Sequence, residues 1–269
     1  MKTPNQKPLA LVTGASTGIG RQLAQQLAEH GFDLLVVARG PELDTAAQEL
    51  RALGVEVHAH HIDLGAPEGV EELVRSIAAT GRSLDVAALN AGFGLAGDFT
   101  RETKLDDELA LIQLNVVSTV KLAKNVLTTM VRQGHGRVLF TSSVVGVMPS
   151  PFQAVYAASK AFVHSFAESV RNELNDTKVS VTALMPGATD THFFDGKSFD
   201  GTNVKAMPKD DPAQVAKQGF EALMAGKDHV VGGNLTNKIM VAMNKFMTES
   251  GKAILPRKYG EKTPDATPS

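Results

Sequence analysis

The segment Leu9–Gly31, LALVTGASTGIGRQLAQQLAEHG, decides the fold. Leu9 to Val12 is a short apolar run that passes straight into Thr13-Gly14-Ala15-Ser16-Thr17-Gly18-Ile19-Gly20. The residues after it place Leu23 and Leu27 on one helical face and stop at Gly31. Strand, glycine-rich turn and helix in this order form a phosphate cradle. Gly14 permits the tight turn, Gly18 lets backbone approach a pyrophosphate, and Gly20 lets the helix pack on the strand. The first N–H groups of the helix then face the anion. A dinucleotide is the candidate ligand, and a merely glycine-rich turn is the bland alternative.

The pattern repeats along the chain. Asp33 to Ala38 reads as a second strand, followed by Arg39. An acid at that strand end would bind the ribose 2′-hydroxyl of NAD, whereas an arginine nearby accommodates a 2′-phosphate. Ala38 stands where the acid would be, so NADP(H) is favoured and NAD(H) remains possible; Arg39 as a solvated loop charge is the competing reading. A helix over 41–53 and a third strand over 55–60 lead to Asp63-Leu64, where Asp63 either caps a backbone turn or contacts the adenine. His58, His60 and His61 alternate in direction and have no cysteine or carboxylate cluster beside them, so no metal is expected.

A helix over 67–80 and a strand over 84–89 end in Asn90-Ala91-Gly92, small residues suited to close backbone approach. The spacing then predicts one unbroken helix from Leu105 to Val131 with Asn115 at its middle. That asparagine is either a buried amide satisfied by backbone or a catalytic group. Strands over 136–142, 179–185 (ending in Pro186-Gly187) and 229–231 alternate with helices reaching Leu174 and spanning 212–225. Strands separated by helices demand right-handed crossovers and a parallel sheet covered on both faces. The expected fold is α/β, a doubly wound parallel sheet of about seven strands. Its expected divisions are a polar arm (1–8), one domain (9–233) with a flap at 189–211, an amphipathic extension (234–257) and a disordered tail (258–269). Leu235, Ile239, Met243 and Phe246 recur at helical spacing in the extension.

Composition narrows the partners. The 269 residues carry 43% hydrophobic residues, a net charge of −2 and no cysteine, with a pI near 6.4. Disulfides and thiolate catalysis are excluded, and nothing basic enough for nucleic acid is present. The start of the chain lacks the apolar run of a signal peptide and no stretch suits a bilayer, so a cytoplasmic protein without a membrane partner is expected.

Chemistry concentrates in Val138–Lys160, VLFTSSVVGVMPSPFQAVYAASK. Tyr156 and Lys160, four apart on a helix, share a face. An ammonium beside a phenol favours the phenolate, so a lowered Tyr156 pKa is expected. Ser143, at the end of the preceding strand, can hold the same substrate oxygen. TGASTGIG, Asp63, NAG at 90–92, Asn115, Ser143, Tyr156, Lys160 and Pro186-Gly187 together resemble the short-chain dehydrogenase/reductase family over about residues 8–191. The resemblance implies a Rossmann-type domain that transfers a hydride between nicotinamide and a carbonyl or alcohol. It implies Tyr156 as acid/base, Ser143 orienting the substrate oxygen, Lys160 on the nicotinamide ribose and Asn115 holding a relay water. Ser16, Thr17, Ile19, Leu64, Asn90, Ala91 and Gly92, with Pro186, Gly187, Thr189 and Thr191 at the nicotinamide end, would touch cofactor.

Phe93, Leu95, Val147, Met148, Phe152, His192, Phe193, Phe194, Phe199 and Met207 are candidates for an apolar pocket wall or for core. A fairly hydrophobic ketone, aldehyde or secondary alcohol is the expected substrate, and a homodimer or homotetramer the expected assembly. The alternative function is a dinucleotide-sensing protein without turnover.

Overall fold

The computed structural model describes residues 6–244 and 247–262. Residues 1–5 of the polar arm, Phe246 of the apolar stripe and residues 263–269 of the expected tail lie outside them. Seven parallel strands form one sheet among the described residues: β1 (Leu9–Thr13), β2 (Asp33–Ala38), β3 (Val57–His61), β4 (Leu84–Leu89), β5 (Gly136–Thr141), β6 (Val179–Pro186) and β7 (His229–Gly232). Their spatial order is β3-β2-β1-β4-β5-β6-β7. Chain direction across the sheet therefore reverses between β1 and β4, which opens a crevice at the carboxyl ends of those strands.

Period-two alternation feeds two cores. Ala10, Val12, Leu34 and Val36 face one side, where they meet Leu23 and Leu27 of α1 (Gly18–Glu29), Leu43 and Leu50 of α2 (Glu42–Arg51), and Val215 and Phe220 of α8 (Pro212–Met224). Leu9, Leu11, Leu35 and Val37 face the other, against Leu73 of α3 (Gly69–Ala79), Leu122 and Val126 of α5 (Thr119–Gln133), and Val163 of α6 (Ala154–Glu173). A strand apolar at every position belongs in a sheet buried on both faces, and β1 and β2 are buried throughout.

The long helix expected over 105–131 is interrupted. α4 (Leu105–Ile112) passes into a π-helical turn, Gln113–Ser118, before α5 (Thr119–Gln133) resumes. The Ser118 hydroxyl donates to the Gln113 carbonyl five residues back, at 2.9 Å, which supports the wider turn. Such insertions re-aim a side chain, and here the side chain is Asn115.

α6 (Ala154–Glu173) precedes β6, and the flap contains α7 (Asn203–Ala206). After α8 (Pro212–Met224) and β7, the extension forms two helices, α9 (Leu235–Asn244) and α10 (Glu249–Gly260), not one. The tail boundary expected at 258 falls inside α10. Asn203 explains why: its side chain donates to the Lys258 carbonyl at 2.7 Å and its N–H to the Glu261 carbonyl at 3.0 Å. Lys262 also reaches Glu102 at 2.7 Å. No helix among the described residues is long and apolar enough to cross a membrane.

Candidate active site

Side-chain hydrogen bonds stitch the carboxyl-terminal strand ends together. The Thr13 hydroxyl accepts from the Asn90 and Ala91 N–H groups, both at 3.0 Å, and the Asn90 carboxamide accepts from the Thr141 hydroxyl at 3.0 Å. Thr13 and Thr141 carry this role without a sequence signal beyond their place at strand ends. At the glycine turn, a Cβ on Gly20 would lie 2.0 Å from the Gly14 carbonyl oxygen and one on Gly18 2.7 Å from Thr191. Only glycine lets α1 start this close to the turn. No side chain caps its first N–H groups, which leaves them as donors for an anion.

These strand ends enclose a cavity of about 790 Å³, within the range of small-molecule sites. Gly14, Ser16, Thr17, Gly18, Ile19, Gly20, Arg39, Asp63 and Leu64 line one arm; Asn90, Ala91, Gly92, Ser143, Tyr156, Lys160, Pro186, Gly187, Thr189 and Thr191 line the rest. Asp63 does cap a turn, accepting from the Gly65 N–H at 2.8 Å, and its second oxygen lies 3.6 Å from Arg39. The strand histidines gather no common site, since His58 faces Glu56 at 3.1 Å and His61 faces Asp44 at 2.9 Å.

Asn115 does not line the cavity. Its side chain accepts from the Phe93 N–H at 3.1 Å and donates to the Phe93 carbonyl at 3.0 Å, and it donates to the Ser159 hydroxyl at 3.2 Å. The buried-amide reading describes this geometry: both backbone groups of Phe93 depend on one carboxamide. Asn115→Ala should therefore cost about 2 kcal/mol, because two buried polar groups lose their partner. A chemical denaturation midpoint measures it, and an unchanged midpoint would refute the account.

Ser143 caps a short 3₁₀ turn, Val144–Val147, accepting from the Val145 N–H at 3.4 Å, and it donates to the Pro186 carbonyl at 3.3 Å. This ties the loop after β5 to the end of β6. Tyr156 and Lys160 sit on the inner face of α6, both buried. The Lys160 Nζ donates to the Thr141 carbonyl at 3.0 Å and lies 5.9 Å from the centre of the Tyr156 ring.

The expected lowering of the Tyr156 pKa is not what this geometry produces. Burial pushes the phenol up to about 12, against a smaller opposing effect of the Ser143 hydrogen bond. Burial likewise pushes the Lys160 ammonium down to about 8. Desolvation outweighs a charge whose own proton is drawn toward a carbonyl.

The aromatic residues divide. Phe93, His192, Phe193 and Phe194 line the cavity, with the Phe193 ring centre 5.3 Å from that of Tyr156. Phe199 is fully buried in a small cluster with Phe194 and Ala96. Leu95, Val147, Met148, Phe152 and Met207 stay off the wall; Phe152 lies under the Arg257 guanidinium at 5.3 Å. Gln153, which the sequence reading passed over, is buried at the cavity edge one helical turn before Tyr156.

Known proteins resemble this chain in sequence and fold. Residues 8–200 match the family model for short chain dehydrogenases. Sulfoacetaldehyde reductase 2 of Chromohalobacter salexigens is 32% identical over 186 residues, 69% of this chain and 74% of that protein. A short-chain dehydrogenase from Sphingobium yanoikuyae, solved in complex with NADPH, is 30% identical with a TM-score of 0.77, covering 83% of this chain and 87% of its own. A Burkholderia phymatum relative solved with NAD shares the fold through the extension, at a TM-score of 0.81 and 22% identity over 98% of this chain and 100% of its own. With more than half its length matched to one family and the sheet order and crevice that go with it, the chain belongs to the short-chain dehydrogenase family of oxidoreductases.

Proposed function

We propose that the chain is an NADP(H)-dependent oxidoreductase that transfers a hydride between nicotinamide and a carbonyl or secondary alcohol of a fairly hydrophobic substrate. The observation carrying this reading is that Ser143, Tyr156 and Lys160 converge in the cavity whose other arm is the glycine turn. That turn fits a dinucleotide: uncapped helix N–H groups and absent Cβ atoms suit a pyrophosphate. Bound there, the nicotinamide would supply the hydride acceptor or donor.

The chain's own groups then act on oxygen and proton. A carbonyl gaining hydride develops negative charge, and hydroxyl donors from Ser143 and Tyr156 stabilise it as the phenol delivers its proton. Lys160 keeps a buried positive charge near that proton and presents its remaining N–H groups to a ribose. Asn115, holding both backbone groups of Phe93, positions the strand end beside the nicotinamide. Phe93, Phe193 and Phe194 favour an apolar substrate body. A sensor without turnover would have no use for all three polar groups in one cavity.

Arg39 carries the NADP(H) preference, since it stands at the cavity edge just after β2, largely exposed, with a 3.6 Å contact to Asp63 that a 2′-phosphate would displace. Initial rates with NADPH and NADH, over a panel of aliphatic, aromatic and steroidal carbonyls, test the proposal. Arg39→Ala should raise the KM for NADPH about 10–100-fold, the worth of a charge-assisted hydrogen bond, and leave that for NADH nearly unchanged. A clear preference of the unaltered chain for NADH would overturn the Arg39 assignment. Exposed Leu105 and Leu109 on α4 and Phe162 on α6 support a homodimer or homotetramer, for which sedimentation is the measurement.

A further inference from the structure

A second cluster of chemistry lies away from the cavity, where the distal half of α6 meets the edge strand β7. Glu168, Asp228 and His229 each bring one donor atom to within 4.8 Å of the other two. The His229 Nδ1 is 3.3 Å from an Asp228 oxygen and 3.8 Å from the Glu168 Oε1. Bonds of about 2.0–2.2 Å at a tetrahedral centre put donors about 3.3–3.6 Å apart. The 3.3 Å separation fits two ligands of a shared ion, and the 3.8 Å one lies a few tenths of an ångström beyond it.

Two further observations point to a missing partner. The Glu168 Oε1 and the His164 Nδ1 are buried and have no hydrogen-bond partner among the described residues. His164 precedes Glu168 by one helical turn, with its ring centre 6.2 Å from that of His229. Buried polar atoms without partners are uncommon, and each calls for an explanation. The nearby cation is committed elsewhere: Arg171 donates to the Val181 carbonyl at 2.9 Å and to the Gly226 carbonyl at 3.2 Å.

We propose that Glu168, Asp228 and His229, with His164 beside them, form a site for a divalent transition metal of the zinc type. Two carboxylates balance the charge of a dication, and mixed nitrogen and oxygen donors select zinc over magnesium, which prefers oxygens in an octahedron. The backbone N–H of His229 donates to the Asp228 carboxylate at 2.7 Å and orients it. An ion there would pin α6, the helix that carries Tyr156 and Lys160, to the sheet edge. Its role is structural, because the cavity lining includes none of these four residues.

The experiment is a calorimetric titration of the full chain, freed of any affinity tag and stripped with chelator, using zinc chloride and in parallel magnesium chloride. About one zinc per chain should bind at micromolar concentration or tighter, with a rise in melting temperature by mass action, and magnesium should bind far more weakly. Glu168→Gln and His229→Gln should each weaken zinc binding at least about 10–100-fold, the scale seen on disturbing metal sites. His61→Gln should not. His229 is partly exposed, so its variant tests the site even where Glu168→Gln fails to fold. NADPH binding should survive in both variants, which separates this proposal from the oxidoreductase reading. Substoichiometric binding, or binding unchanged in His229→Gln, would mean adventitious zinc on surface histidines and would overturn the site.

Discussion

Tyr156→Phe is expected to lower turnover by about 10³-fold, within the range for loss of a general acid or base, while dinucleotide affinity stays nearly unchanged. The substitution removes one oxygen and keeps the ring that packs against Phe193. Steady-state turnover at saturating substrate, beside dinucleotide binding by calorimetry, measures the two effects separately. A phenylalanine variant retaining a tenth of the activity would end the acid/base assignment. The pH dependence follows from the same oxygen. Because burial raises the phenol to about 12, the protonated form needed for carbonyl reduction persists through neutral and moderately alkaline pH. Alcohol oxidation needs the phenolate, so its rate should climb with pH over the range where reduction stays flat.

Lys160→Met should abolish most activity and yet make the protein more stable at pH 7. An unfolded lysine holds its proton up to about 10.5, whereas the buried Lys160 holds it only up to about 8. Between those values the unfolded chain binds more protons, so stability rises with pH; below about 8 both states are charged and the full cost of burying the ammonium stands. That cost is about 3 kcal/mol at the usual conversion of pKa shift to free energy. Losing the hydrogen bond to the Thr141 carbonyl returns about 1 kcal/mol, leaving a net gain of about 2 kcal/mol. Urea midpoints at pH 7 and pH 10 read this directly: the wild type should gain stability across the interval and the methionine variant should not. A variant no more stable than wild type at pH 7 would show that the buried charge is compensated by partners other than Thr141. Stability held back for the sake of chemistry is the expected pattern at a site that needs a buried charge.

The strands and glycine turns were legible because they depend on local rules. Apolar runs of five or six residues, glycines where backbone must close up, and the alternation of strand with helix all act within a few residues of one another. Strand bounds read from them agree with the structure to within two residues from β1 to β4. The interruption at Gln113–Ser118 was not legible, because its cause is distant: Asn115 turns inward to serve Phe93, 22 residues earlier. The last turn of α10 likewise has a distant partner, Asn203 of the flap.

The sequence alone determined the doubly wound fold and carried the resemblance to the family, and it pointed to most but not all of the residues that line the cavity, since spacing along a strand or helix dictates which side chains share a face. Tertiary structure alone buried the Tyr156 phenol, which raises its pKa, and turned the Asn115 side chain onto Phe93. It also brought Glu168 on α6 to Asp228 and His229 at the start of β7. Burial and long-range pairing set these, and both depend on how much water the finished packing removes from each group.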